Sequence, residues 1–217
     1  LHEKPFAGLN GSGKHNNWSM STNLGENLLE PGKTPEKNAQ FLLFLTAVIK
    51  AVDENQDLLR ISVASAGNDH RLGANEAPPA IISMYLGDEL YAVLESIKDG
   101  KPLGEHGAQK MTIGVDVLPP IPKDSTDRNR TSPFAFTGNK FEFRSCGSSL
   151  SISGPNTTLD SIVAYTLKEF ADELEKATDF DAALAELIKR EVTKHWKVIF
   201  NGNGYDDSWV KEAEKRG

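Results

Sequence analysis

Three stretches of this chain repeat apolar residues at helical spacing, and each gains a face too broad to leave in water. Past the polar loop at 23–33, Phe41, Leu42, Leu45, Val48, Ile49 and Val52 recur three and four residues apart, in a segment that Thr34 can cap and Pro35 can open. Leu159, Ile162, Val163, Leu167, Phe170 and Leu174 repeat the pattern, as do Phe180, Leu184, Leu187, Ile188, Val192, Trp196 and Ile199. The spacing predicts helices over 35–53, 155–174 and 180–200, with shorter ones over 57–66, stopped by Gly67, and over 86–96. His195 reads as a helix-terminus or packing histidine rather than a ligand, and the polar tail 201–217 with Trp209 as a last short helix.

Strand patterns are fewer. Residues 111–117 alternate weakly and are rich in β-branched side chains, which predicts a strand ahead of the proline-bearing loop 119–127. Residues 139–144 alternate cleanly, with Lys140, Glu142 and Arg144 on one face and Phe141 and Phe143 on the other. A charged face of this kind is usually solvated; the rival reading is the floor of a site for an anionic ligand.

Chemistry concentrates in the loops. Between Pro5 and Trp18 lie Gly8, Gly11, Gly13, Lys14 and His15, a composition that brings backbone N–H groups, an ammonium and an imidazole close to phosphate, carboxylate or metal. Gly8, Gly13 and Lys14 fit the phosphate-loop pattern G-x-x-x-x-G-K, but His15 stands where that pattern needs Ser or Thr, and residues 1–5 are too short and polar for the strand it needs. A plain hairpin turn is the other alternative. The loop 65–79 holds Arg71 and Glu76 among small residues, and 127–134 holds Arg128 and Arg130.

With 38% hydrophobic and 25% charged residues over 217 positions, the chain has the makeup of a soluble globular domain. Its net charge of −7 argues against a nucleic-acid-coating surface. Cys146, the one cysteine, excludes an intrachain disulfide and reads as a small buried residue. No apolar run approaches a membrane span and no signal-peptide pattern opens the chain, so a cytoplasmic protein is expected. The start without methionine, close to the motif-rich loop, reads as a fragment.

Taken together and in order, the loops resemble glutamine synthetase, most closely the long-chain bacterial type III form. Asn10-Gly11-Ser12-Gly13-Lys14-His15 is similar to the family's Asn-Gly-Ser-Gly-x-His segment, and Arg71-Leu72-Gly73-Ala74-Asn75-Glu76-Ala77-Pro78 to its Arg-Leu-x-x-x-Glu-Ala-Pro segment. Asn129-Arg130-Thr131 resembles its Asn-Arg-Ser, and Phe141-Glu142-Phe143-Arg144 its Ile-Glu-x-Arg strand. The helices from Pro155 onward carry the likeness only loosely.

The resemblance implies an α+β fold, an antiparallel sheet carrying the site with helices outside. The chain would be the C-terminal part of a catalytic domain, with loops and strands of the site in 1–150 and helices in 151–217. It implies ligation of ammonia to glutamate through γ-glutamyl phosphate, with ATP and magnesium or manganese, in a homo-oligomeric ring with sites at subunit borders. By resemblance, His15 and Glu142 are metal ligands; Asn10, Gly11, Arg71 and Arg144 bind glutamate, Arg144 also serving catalysis; Ser19, Arg130 and Lys140 face the nucleotide, Arg130 at the phosphoryl group in transit; and Glu76 attracts and deprotonates ammonium. Two departures stand out: Asn17 replaces a second histidine and Ala135 a second arginine, which leaves Lys14 or Lys140 as substitutes for phosphate contacts. The family's upstream paired glutamates are absent from this chain, so these residues alone are expected to be inactive. An amine ligase of the same superfamily and a non-catalytic structural relative are the alternatives.

Overall fold

Three phenylalanines one residue apart on neighbouring strands decide where the sheet sits. Phe141 and Phe143 on β6 (Phe141–Gly147) and Phe134 on β5 (Phe134–Phe136) are fully buried, and Phe134 stacks on Phe141 with ring centroids 4.6 Å apart. Phe136 extends the cluster to Phe41 on the first long helix, at 5.9 Å. A computed structural model of the chain describes residues 11–73, 77–100, 110–111, 121–122 and 131–217, the four residues 110–111 and 121–122 by backbone alone.

The main sheet has the order β1-β6-β5-β2, with β1 at Gly13–Trp18 and β2 at Met84–Tyr85. β6 lies between antiparallel partners β1 and β5, but β2 runs parallel to β5, pairing Met84 with Phe134 and Tyr85 with Ala135. The expectation of an antiparallel sheet is therefore corrected to a mixed one. The parallel pair is open to the chain because the connection from β2 to β5 is long enough to include a whole helix, as parallel neighbours require. A separate antiparallel pair joins β3 (Lys110–Met111) and β4 (Ile121–Pro122); of the strand expected over 111–117, the rest lies outside the described residues.

The β1–β6 ladder is interrupted. Gly13 pairs with Gly147 and Lys14 with Cys146, after which Asn16 pairs with Phe143, Asn17 with Glu142 and Trp18 with Phe141. His15 thus faces two residues, Arg144 and Ser145, and β6 carries a bulge. Bulges re-aim side chains beside functional sites. Here Glu142 and Arg144 share a face opposite the phenylalanines, while beyond the bulge Cys146 joins the apolar core at 1% exposure.

α1 (Ala39–Glu54) is buried along most of its length and packs against α5 (Ser153–Leu174) and α6 (Phe180–Lys194). Its cap is Asn38, whose side chain accepts from the Phe41 amide, and not Thr34, because 35–37 form a separate 3-10 turn. The single helix expected over 57–66 is two: α2 (Gln56–Ile61) and α3 (Ala66–Arg71). Ser65 caps α3 through the Asn68 amide, so Gly67 lies inside a helix instead of ending one. α4 (Asp88–Asp99) and α7 (Asp207–Arg216) fall close to expectation. α6 stops at His195, short of 200, and Phe180 at its start is half exposed where a core position was expected.

His195 caps the end of α6 from within the core. Its Nδ1 lies 2.7 Å from Asp53 Oδ2 and its Nε2 3.3 Å from Glu191 Oε2, with both side chains of the Asp53 pair at 5% exposure or less. Lys50 approaches Glu54, Glu169 and Glu191 beside them. Burial disfavours the Lys50 ammonium, yet these carboxylates outweigh it and hold its pKa above the ordinary lysine value. No helix among the described residues is long and apolar enough to cross a membrane.

Candidate active site

The face of β6 opposite the phenylalanines presents charge, and the sheet buries it. Glu142 is 5% exposed and Arg144 3%, so this is no solvated outer wall. Arg144 folds back on its neighbour two residues away: Nε and Nη2 lie 3.3 and 3.2 Å from the same Glu142 oxygen, Oε2. Its Nη1 donates to the Ser132 carbonyl at 3.4 Å, and its backbone N–H to Pro133 at 2.9 Å, which ties β6 to the start of β5. From β1, His15 brings Nδ1 to 3.4 Å of that same Oε2, with its own side chain 57% exposed.

Arg71 enters from the last position of α3. Asn68, fully buried, anchors that helix by donating to the carbonyls of Val63 and Ser145 at 2.7 and 2.8 Å, the second of them at the bulge. Arg71 Nε donates to Asn68 Oδ1 at 3.0 Å, and Nη2 reaches the carbonyls of Cys146 and Arg144 at 3.3 and 3.5 Å. Gly13 is what lets the guanidinium lie there, since a Cβ at that position would stand 2.3 Å from Nη1. Burial pushes the neighbouring Cys146 thiol up to about 11 despite the nearby charges of Lys14 and Arg71, so it stays protonated and inert at neutral pH.

The described charges at this spot are two guanidinium groups and one carboxylate beside an imidazole, a balance suited to anions. His15 Nδ1 and Glu142 Oε2 stand 3.4 Å apart, somewhat wider than the about 3.0 Å between neighbouring donors on an octahedral magnesium-sized ion with bonds of about 2.1 Å. That fit is partial: among the described residues no group of three or more His, Cys, Asp and Glu side chains could hold a metal ion. An ion here would draw further ligands from elsewhere and would compete with Arg144 for the Glu142 oxygen.

Of the residues singled out in the sequence, His15, Arg71, Glu142 and Arg144 meet at the β1–β6 pair. Gly11 lies just ahead of β1, next to Ser12, whose carbonyl accepts from Ser148. Ser19 and Lys140 sit at the other end of the pair, where Ser19 Oγ donates to the Asn139 carbonyl at 3.0 Å and the Lys140 carbonyl accepts from Thr137. Lys14 turns away, its ammonium on the Leu150 carbonyl. Asn10, Glu76 and Arg130 lie outside the described residues. Asn17 and Ala135, the two departures from the family pattern, are the cross-strand neighbours of Glu142 on either side. Sequence reasoning passed over Asn68 and Ser132; the Ser65 cap signal ahead of Asn68 would have exposed the first.

The last part of the chain, residues 183–217, matches the family model described as the glutamine synthetase C-terminal domain. The chain belongs to the glutamine synthetase family. Within that family its whole length is 57% identical to the type-3 glutamine synthetase of Dictyostelium discoideum, of which it spans 30%. It is likewise 52% identical to a glutamine synthetase of Butyrivibrio fibrisolvens and 46% to one of Bacteroides fragilis strain YCH46, in each case over all of the chain and 31% of the relative. The chain therefore spans about a third of the length of these relatives. The helical end, which bore little of the motif likeness, is the part that the family model recognises.

Proposed function

We propose that the full-length protein carrying this chain joins ammonia to L-glutamate at the expense of ATP. The observation that carries the reading is the meeting of His15, Arg71, Glu142 and Arg144 at one strand pair, from segments far apart in sequence. In the first step the γ-carboxylate oxygen of glutamate attacks the terminal phosphorus of ATP, and ADP leaves. In the second, ammonia attacks the acyl carbon of γ-glutamyl phosphate, phosphate leaves, and the extra proton passes to a base.

Arg71 and Arg144 are assigned to the carboxylates of glutamate and to the moving phosphoryl group, since a guanidinium fork matches both geometrically. His15 and Glu142 would hold magnesium or manganese, which when bound neutralises the nucleotide phosphates. Asn10 and Gly11 are assigned to the amino-acid end of glutamate, Ser19 and Lys140 to the nucleotide, and Arg130 to charge on the phosphoryl group in transit. Glu76 takes the role of base toward ammonium. A homo-oligomeric ring and a cytoplasmic setting belong to the same reading.

The test is to supply the purified full-length protein with glutamate, ammonium, ATP and magnesium. Glutamine and phosphate should appear in equal amounts, and Glu142→Gln should weaken metal-dependent nucleotide binding. Preferred use of a primary amine over ammonium would move the assignment to an amine ligase. Absence of ATP binding would overturn it in favour of a structural relative.

A further inference from the structure

The polar run Asn201-Gly202-Asn203-Gly204-Tyr205 carries no titratable acid or base other than a phenol, yet it is tied to two separate loops at their described ends. The Tyr205 hydroxyl donates to the Ala77 carbonyl at 2.8 Å. The Gly204 amide donates to Thr131 Oγ1 at 2.7 Å. A Cβ at Gly204 would stand 2.9 Å from the Thr131 carbonyl oxygen and 3.3 Å from Pro79 Cγ, so the two loops close on this residue from both sides with no room for a methyl group. Ala77 and Thr131 are the peptide-bonded neighbours of Glu76 and Arg130.

The run is itself held at both ends. Upstream, the Phe200 amide donates to the Met84 carbonyl at 2.8 Å and Asn201 Oδ1 accepts from the Leu86 amide at 3.1 Å, which fastens it along β2. Downstream, Asp206 caps α7, Trp209 of that helix stacks on Phe200 with centroids 3.7 Å apart, and Arg216 Nη1 donates to the Ile199 carbonyl at 3.0 Å. A segment anchored twice and bonded to two loops fixes the distance between those loops.

We propose that Gly204 and Tyr205 are positioning residues: they set the spacing of Ala77 against Thr131, which are the peptide-bonded neighbours of the residues assigned above to ammonium and to the phosphoryl group. The inference rests on the glutamine-forming reading and deepens it, because ammonia capture and phosphoryl transfer then depend on a C-terminal segment that touches no substrate.

The experiment uses the full-length protein with Tyr205→Phe, which removes one hydroxyl from a partly exposed ring, and Gly204→Ala, which wedges the loops apart. Two readouts are taken on each. Hydrogen exchange at the amides of Ala77, residues 80–83, Thr131, Ser132 and Phe134 should quicken in both variants. For Tyr205→Phe the KM for ammonium should rise about 3- to 10-fold, as loss of one neutral hydrogen bond would give, with KM for ATP unchanged. For Gly204→Ala kcat should fall about 10- to 100-fold, the scale of a displacement near 1 Å in a reacting geometry. Unchanged exchange in both variants overturns the clamp. Quickened exchange with unaltered glutamine kinetics overturns its link to the site. A wild-type protein that makes no glutamine, while the variants still quicken exchange, refutes the catalytic reading and leaves the clamp standing.

Discussion

Replacing Gly13 with alanine tests whether the buried guanidinium of Arg71 is held in a working position by the strand beside it. The new Cβ would lie 2.3, 2.6 and 2.9 Å from Nη1, Cζ and Nη2, so the guanidinium must withdraw by about 1 Å to reach ordinary contact. Its bonds to Asn68 Oδ1 and to the Cys146 and Arg144 carbonyls, at 3.0, 3.3 and 3.5 Å, leave little room to move and keep their geometry. Losing the equivalent of one hydrogen bond to a charged group costs about 1.5 to 3 kcal/mol. If that group binds glutamate, kcat/KM for glutamate in the full-length enzyme should fall about 10- to 150-fold. The assay is a four-member cycle of wild type, Gly13→Ala, Arg71→Met and the double variant, followed by glutamine formation. Because the methyl group acts only through Arg71, the double variant should match Arg71→Met within about twofold, a strong departure from additivity. Additive losses, or a Gly13→Ala loss confined to ATP, would refute the reasoning.

Cys146 should resist iodoacetamide in the folded protein at pH 8 and react on unfolding, since burial holds its thiol near 11; the same raised value means its contribution to stability is lost as pH climbs from the ordinary thiol range toward 11, and alkylation at the rate of a free thiol would contradict this. His195→Ala should destabilise the protein by about 3 to 5 kcal/mol in urea unfolding, because it strands Asp53 in the core without its 2.7 Å partner. Its kinetic constants should be unchanged while the protein is folded, and a loss below about 1 kcal/mol would show that the pair is not a structural prop.

The long helices and the alternation over Phe141–Arg144 were readable because burial imposes a period, and a period survives in sequence. That alternation placed Glu142 and Arg144 on one face, as found. β1 was harder, since Gly, Lys, His and Asn are poor strand formers and become a strand only by pairing with β6, a contact between remote segments. Two-residue β2 has no pattern to read, and with it the parallel pairing was hidden. In α3 two local signals conflict, a serine cap and a glycine that reads as a stop, and the tertiary anchor through Asn68 settles it in favour of the helix. The run Asn201–Tyr205 is aperiodic, so its ties to Ala77 and Thr131 left no trace in the hydrophobic pattern.

The doubled residue opposite His15 makes β6 sensitive to length in a way that it is not to composition. Deleting Ser145 would let the ladder run on unbroken, with Cys146 still opposite Lys14 and on the apolar side, but it would take away the carbonyl to which Asn68 fastens α3, and with it the support of Arg71. A changed side chain in this strand costs one contact, whereas a lost residue closes the bulge on which α3 is anchored. Among proteins descended from the same ancestor, the number of residues between Glu142 and Gly147 should therefore vary less than their identities.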